Sequence, residues 1–291
     1  MRPAERPAER PAHRPNHHPA TQFIAPGHIT RGEPLKLLLD ARAVELIAAS
    51  VADTLPSFDS EAFAQAACDG LEALELKPRA AHIGDALWAS LGRAAGSAAA
   101  ARVAALVASF GPPLTTTAGY GLAPFFYLPH SALLHAHVTE TPLVLEACHA
   151  LTQRFTAEFA IRPALIRDQA AVLATFERWA SDTNPHVRRL VSEGARPRLP
   201  WAERLQALDA DPRPMLPLLD RLVDDPDLYV RRSVANHLGD IAKRHPELAF
   251  DRCERWLNHA TKERNWVVRH AVRHPAKQGV ARAIALRRRA K

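Results

Sequence analysis

The sequence predicts an all-α fold, built as a solenoid of two-helix repeats, on three observations. Apolar residues recur at helical spacing along most of the chain, and no segment alternates convincingly as a strand. A Val-Arg-Arg unit occurs twice, at 187–189 and 230–232, and its 43-residue spacing is the size of a two-helix repeat. Aromatic content is only 6% and alanine is abundant, which suits close helix–helix packing better than a β-sandwich.

The elements follow in order. Residues 2–14 repeat an Arg-Pro-Ala-Glu/His tetrapeptide, and Pro/His-rich sequence continues to about Pro26. Proline at that density blocks helix and leaves little apolar surface to bury, so residues 1–30 are expected to be a disordered tail. Its histidines His13, His17 and His18 have no metal-ligand spacing. From Glu33 the pattern turns helical, with Leu35, Leu38, Leu39, Val44, Ile47 and Val51 on one face. Pro56 breaks it, and Asp59 or Ser60 caps a helix carrying Phe63, Ala67 and Leu71. Further helices are expected over 80–92 and 96–110, and glycines and prolines make 111–130 a turn-rich connector. Helices resume over 131–136, 141–162, 164–181, 185–195, 212–223, 227–244, 247–259 and 265–274, leaving 281–291 as a basic C-terminal tail.

The chain has 291 residues, enough for one extended domain or two compact ones. Lysines and arginines outnumber aspartates and glutamates by 38 to 31, for a formal charge of +7, which argues for a polyanionic partner. Cys68, Cys148 and Cys253 are odd in number and far apart, so neither a disulfide framework nor a thiolate metal site is indicated. No apolar run reaches the length of a membrane span, and the N-terminus lacks the hydrophobic stretch of a secretory signal. A reducing cytoplasm is the expected setting. Neither a cofactor nor a metal is called for, no membrane partner is expected, and a groove-binding solenoid needs no second subunit, so a monomer is expected.

The last third is the clearest array. First helices end near Trp179, Leu222 and Trp256, and second helices begin near Val187, Val230 and Val268. Asp182 precedes Arg188, Asp225 precedes Arg231 and Glu263 precedes Arg269, each by six residues. That acid–arginine ladder resembles HEAT repeats, in which it ties neighbouring units together; structural duty is therefore expected of Arg188, Arg231 and Arg269. Stacked pairs curve and expose one long concave face. On the second repeat's inner helix Val230, Val234, Leu238 and Ile241 form a buried stripe, with Arg232, Ser233, Asn236 and Asp240 on another face. Arg189, Arg232 and His270 fall at equivalent positions, and such a row either tracks a phosphate backbone or is simply a solvated face. By spacing alone, Asp240 makes an i,i+4 pair with Arg244, and Glu158 sits between Arg154 and Arg162 on one stripe. Trp201 follows Arg-Pro-Arg-Leu-Pro, too proline-rich to stay helical, so a loop presents it to the core or to a partner.

Three long blocks in order resemble the AlkC-type DNA alkylation repair family: Thr152-Gln-Arg-Phe-Thr-Ala-Glu-Phe-Ala-Ile-Arg-Pro163, the stretch from Val187 to Trp201, and the stretch from Tyr229 to Ile241. Segments 71–79, 119–122 and 266–271 are similar to it as well, so the likeness runs over roughly 31–280. The resemblance implies a HEAT-like solenoid glycosylase domain with a concave DNA-binding face, which removes cationic methylated bases such as N3-methyladenine or N3-methylcytosine from double-stranded DNA. It implies Asp240 as the principal catalytic carboxylate, Glu158 as the second acid and Trp201 as the aromatic against the lesion. Arg189, Arg232, His270, Arg162 and Arg196 are the residues expected along the DNA backbone. It further implies nucleoid association. The sequence departs from the family pattern at Gly239, usually Asn; at Ala164, commonly aromatic; and at Arg244, where an acid is expected. The β-sandwich module that some relatives add C-terminally has no room before Lys291.

Methylation at a ring nitrogen makes the base a cationic leaving group. What remains is to stabilise an oxocarbenium-like sugar with a carboxylate and to orient or deprotonate water. Trp201 would favour the cation through its ring face. A lyase step would need a nucleophilic amine, and Lys243 reads as a solvated helix lysine. The competing reading is a non-catalytic HEAT scaffold that binds DNA or protein, with Glu158 and Asp240 as surface ion pairs.

Overall fold

The structure, a computed structural model, describes residues 18–291; the expected tail at 1–17, with His13 and His17, lies outside the described residues. Sixteen α-helices and no strand occur among the described residues, in an α-solenoid of HEAT-like repeats. In the N-terminal half, α1 (Ala41–Ala52) starts where the Asp40 carboxylate accepts from Ala43 N at 2.9 Å, and α2 (Ser60–Cys68) starts where Asp59 does the same for Ala62 N. The long α3 (Leu76–Ala95) lies against α5 (Leu128–His137), with α4 (Ala99–Ala108) between them in sequence. The α3–α5 approach requires Gly84: a Cβ there would come within 2.8 Å of the Pro129 carbonyl oxygen. Arg79, 4% exposed, spends its guanidinium on the carbonyls of Lys36, Leu39 and Glu72, tying the first turn of α3 to the preceding segment.

The C-terminal half is the repeat array. After α6 (Thr141–Thr152) and the short α7 (Arg162–Arg167), α8 (Gln169–Trp179) pairs with α9 (Pro185–Gly194). The five-residue α10 (Gln206–Ala210) leads to α11 (Leu216–Leu222), which pairs with α12 (Leu228–Ala242); α13 (Pro246–Leu257) pairs with α14 (Lys262–Ala271). The second helices form the inner row, with α12 packed against α9 on one side and α14 on the other. Val230, Val234, Leu238 and Ile241 form the buried stripe of α12. Arg188 reaches the next repeat, donating from Nε to Asp225 Oδ2 at 2.6 Å and from Nη2 to Asp227 Oδ2 at 3.2 Å. Arg231 and Arg269 serve backbone carbonyls instead, of Asp225, Pro226 and Ala290. No single helix among the described residues is long and apolar enough to cross a membrane.

Three expectations are corrected. Residues 18–30 are not a free tail at their start: Pro19–Gln22 form a 3-10 turn, the Phe23 ring packs 5.5 Å from Phe126, and Leu122 N donates to Pro26 O at 2.9 Å. Apolar surface at Phe23 outweighs the proline content there. Within 281–291, Ala281–Arg289 form α16, which follows α15 (Arg273–Lys277) and packs on α13, with Ala283 and Leu286 buried. The expected 141–162 helix stops at Thr152. Beyond it Leu114 N donates to Gln153 O at 2.8 Å and Arg154 donates to Gly111 O, so the 111–114 connector docks on the helix end and stops its propagation.

Candidate nucleic-acid interface and acid network

Because α6 ends early, Glu158 lies in the turn before α7 and not on a helical stripe. Arg154 points away to Gly111 and Ala150, so the expected Arg154–Glu158–Arg162 pairing does not exist. Arg189 replaces it: its Nη1 donates to Glu158 Oε2 at 2.7 Å and to Thr156 Oγ1 at 2.6 Å. The same guanidinium lies 3.5 Å from Glu193 Oε1 through Nη2 and 5.3 Å from the centre of the Tyr229 ring. Glu193 in turn accepts from Arg196 Nη1 at 2.7 Å and from Ser233 Oγ at 2.6 Å. Arg196 closes on Asp240, with Nη2 at 2.8 Å and Nε at 2.9 Å from Oδ2, and Lys243 Nζ holds Oδ1 at 2.9 Å. The i,i+4 pair expected between Asp240 and Arg244 is absent, because Arg244 turns to Asp209.

The result is one continuous chain across the turn before α7, α9 and α12: Glu158, Arg189, Glu193, Arg196, Asp240. All three acids are buried, Glu158 at 7% and Asp240 at 3% exposure, against two partly buried arginines. Burial raises the Glu158 carboxyl above its ordinary range; Arg189 opposes this and Glu193 adds to it. Burial also pushes Glu193 up, but Arg189, Arg196 and the Ser233 hydroxyl outweigh it and bring its pKa below the ordinary value. The three carboxylates thus sit in three environments, and the three cations that face them are Arg189, Arg196 and the half-exposed Lys243. Glu193 was missed from the sequence as a site residue. Its signal was Arg189 at i−4 and Arg196 at i+3, which puts all three on one side of α9 and its exit.

Trp201 lies in the loop that leaves α9, which ends before Pro197. It is 85% exposed and the one non-glycine with positive φ, +64°, among the described residues. A left-handed tryptophan costs about 1–2 kcal/mol and persists only where its surroundings impose it. Lys77 of α3 does so, donating Nζ to Trp201 O at 2.9 Å and standing 5.9 Å from the ring centre. Arg162 fixes the rest of the loop through the carbonyls of Glu203, Gly194 and Arg196. An open cleft of about 300 Å³ lies under the tryptophan, lined among others by Lys77, Phe159, His135, Arg162 and Glu203.

Several residues expected along a phosphate backbone are therefore otherwise engaged. Arg162 is 1% exposed, donates to three backbone carbonyls, and burial lowers it to about 10; it builds the loop and presents nothing to a partner. Arg189 and Arg196 are committed to the acids. His270, stacked 4.9 Å from Trp266, is pushed down to about 4 by burial and by Arg273, Arg232 and His274. It is neutral at physiological pH, with Nε2 facing Asn236 Oδ1 at 3.1 Å. Arg232 is exposed and makes no ion pair among the described residues, so of the five it alone stands available.

A solenoid with an acid–arginine network on its inner helices and a strained aromatic beside it defines the class, and comparison with known proteins refines it. A family model described as DNA alkylation repair enzyme matches residues 145–274. The chain is 45% identical over 142 residues to the Bacillus subtilis (strain 168) protein YhaZ, an uncharacterized protein; the match takes 49% of this chain and spans 40% of that protein's length. The alkylpurine DNA glycosylase AlkC of Pseudomonas fluorescens, solved bound to DNA containing an abasic site analog, superposes with a TM-score of 0.75 at 34% identity, over 87% of this chain and 67% of AlkC. The chain belongs to the AlkC-type DNA alkylation repair family.

Proposed function

We propose that this protein is a monofunctional DNA glycosylase that hydrolyses the N-glycosidic bond of cationic N-methylated bases, such as N3-methyladenine or N3-methylcytosine, in double-stranded DNA. The observation that carries this reading is the network in which buried Glu158, Glu193 and Asp240 are faced by Arg189, Arg196 and only a half-exposed third cation, Lys243. An isolated buried acid is expensive, and replacing such networks by apolar residues is often neutral or stabilising. Three buried acids whose third counter-ion, Lys243, is half exposed are instead suited to receiving positive charge as that lysine moves aside. A methylated base carries one such charge, and that charge passes to the sugar as the base departs.

Bond cleavage in a cationic nucleoside needs no proton on the leaving base. Asp240 stabilises positive charge at C1′ electrostatically, in surroundings from which most water is excluded. Lys243, about half exposed on its partner's outer side, is the group that gives way as a cationic lesion approaches Asp240 Oδ1. Glu158, with its pKa raised by burial, is the better base for the attacking water and takes up one of its protons. Trp201, already turned outward, offers its ring face to the cationic base. Arg232 contacts the backbone. A non-catalytic scaffold would gain nothing from burying three carboxylates with one counter-ion left half exposed, and no observation favours it.

The test is release of methylated base from alkylated duplex DNA by wild type, Asp240→Asn and Glu158→Gln. Asp240→Asn is expected to lose at least two orders of magnitude in rate and Glu158→Gln about one to two. No release by wild type rejects the activity, and undiminished release by both variants rejects the residues.

A further inference from the structure

The three arginines around Asp209 are used neither by the acid network nor by the repeat ladder. Asp209, inside the short α10 and 3% exposed, accepts from Arg198 Nε at 2.8 Å, from Arg244 Nη1 at 2.9 Å and from Arg204 Nη2. One carboxylate neutralises one guanidinium, so the cluster retains two positive charges. A structural ion pair needs only one partner, as the neighbouring Asp211–Arg213 pair shows. Packing three guanidinium groups onto one acid costs mutual repulsion, which an anion on the outer side relieves. That outer side is open: the three side chains are 36%, 50% and 50% exposed, and no other acceptor among the described residues takes their remaining N–H groups.

Position says which anion. Arg198 and Arg204 bracket Trp201 within the loop that Arg162 fastens, and Arg244 stands one helical turn beyond Asp240, at the end of α12. Asp240 lies close enough to act electrostatically on the Arg198 guanidinium. An anion held here is adjacent both to the exposed aromatic and to the principal carboxylate. We propose that Arg198, Arg204 and Arg244, gathered by the buried Asp209 beside the Trp201 loop, bind a DNA phosphodiester next to the damaged nucleotide. The inference rests on the glycosylase reading for what lies beside the phosphate, though not for the binding itself. It places the backbone contact on arginines that remain free to make it, in place of Arg162, Arg189 and Arg196. The rigid guanidinium fork suits a phosphodiester oxygen pair, and the carboxylate behind fixes the direction of each fork before DNA arrives.

The experiment is titration of a fluorescein-labelled undamaged duplex with the full chain over a range of NaCl concentrations, comparing wild type, the double variant Arg204→Gln/Arg244→Gln, and Arg213→Gln as a control. The double variant is expected to bind several-fold more weakly, with a slope of log Kd against log salt shallower by about one, and Arg213→Gln is expected to leave the slope unchanged. An unchanged slope in the double variant overturns the site, and an equal change in Arg213→Gln reduces it to general charge loss and overturns it too. Thermal unfolding of each variant accompanies the titration. If the double variant does not fold, Arg204→Gln alone, which leaves Asp209 two partners, is expected to weaken binding and flatten the slope in the same direction, and an unchanged slope there overturns the site. A second arm replaces chloride by inorganic phosphate at constant ionic strength: if phosphate raises the wild-type melting temperature and not the variant's while the duplex slopes agree, the site takes free phosphate and the proposal falls. Because the duplex is undamaged, wild-type failure to release methylated bases would reject the activity without touching this result.

Discussion

Glu158, Glu193 and Asp240 share two arginines, and the unequal sharing separates their roles. Arg189 stands between Glu158 and Glu193, so Arg189→Ala leaves two acids buried without it; a loss of about 3–5 kcal/mol in urea unfolding is expected. A loss under about 1 kcal/mol would mean that water or Arg196 compensates the pair. Trp201 is the opposite case. Its ring is exposed and its backbone left-handed, so Trp201→Gly is expected to leave stability unchanged or up to about 1 kcal/mol higher while base release falls. A large drop in stability would show that the ring serves packing. Resemblance to the family pointed to Glu158, Asp240 and Trp201, but Arg162 was misassigned: nothing in an Arg-Pro dipeptide shows that its side chain will be folded over by a loop 41 residues later.

At the scale of elements, the inner row depends on how closely α12 and α14 approach. Gly239 permits it, since a Cβ there would stand 3.2 Å from Ala271 O. Helix glycine is ordinarily stabilised by alanine by about 1 kcal/mol. Here Gly239→Ala is expected to yield none of that gain in chemical denaturation, because α14 must shift to admit the methyl group; a full gain would show the interface to be loose. Helix positions in the array were legible because Val187, Val230 and Val268 sit at repeat spacing and their apolar neighbours keep a 3.6 period. The break after Thr152 was not. Phe155, Phe159 and Ile161 continue an apolar pattern that suits a helix, and the connector that ends it comes from residues 111–114.

For the whole molecule, buried histidines set the response to acid. His237 is held down to about 4 and His130 to about 3 by burial, against 6.5 for an ordinary imidazole. In the unfolded chain both take protons below about pH 6.5, and in the folded one neither does until about 4. Stability is therefore flat above about 6.5 and falls as pH drops through the window to about 4, by on the order of a few kcal/mol for each histidine. Urea midpoints at about pH 7.5 and about pH 5 measure this, and equal midpoints would contradict the burial. Asp209 works with the same sign in a more acidic window, since its arginines hold it far below the usual carboxylate range and stability again falls as pH drops. Its contribution persists until the pH falls well below that range.

The amino-acid order by itself determined the helical class, the period of the array and the blocks that carry the family likeness, because those depend on local periodicity and on neighbours one turn away. It did not determine which charge meets which. Glu158 with Arg189, Arg196 with Asp240 and Arg244 with Asp209 are separated by 31 to 44 residues. In a chain of alternating acids and bases every such partner has rivals at i,i+3 and i,i+4. Only the packing of the turn before α7, α9, α10 and α12 around one another, which sets these groups face to face, made the long-range pairs win.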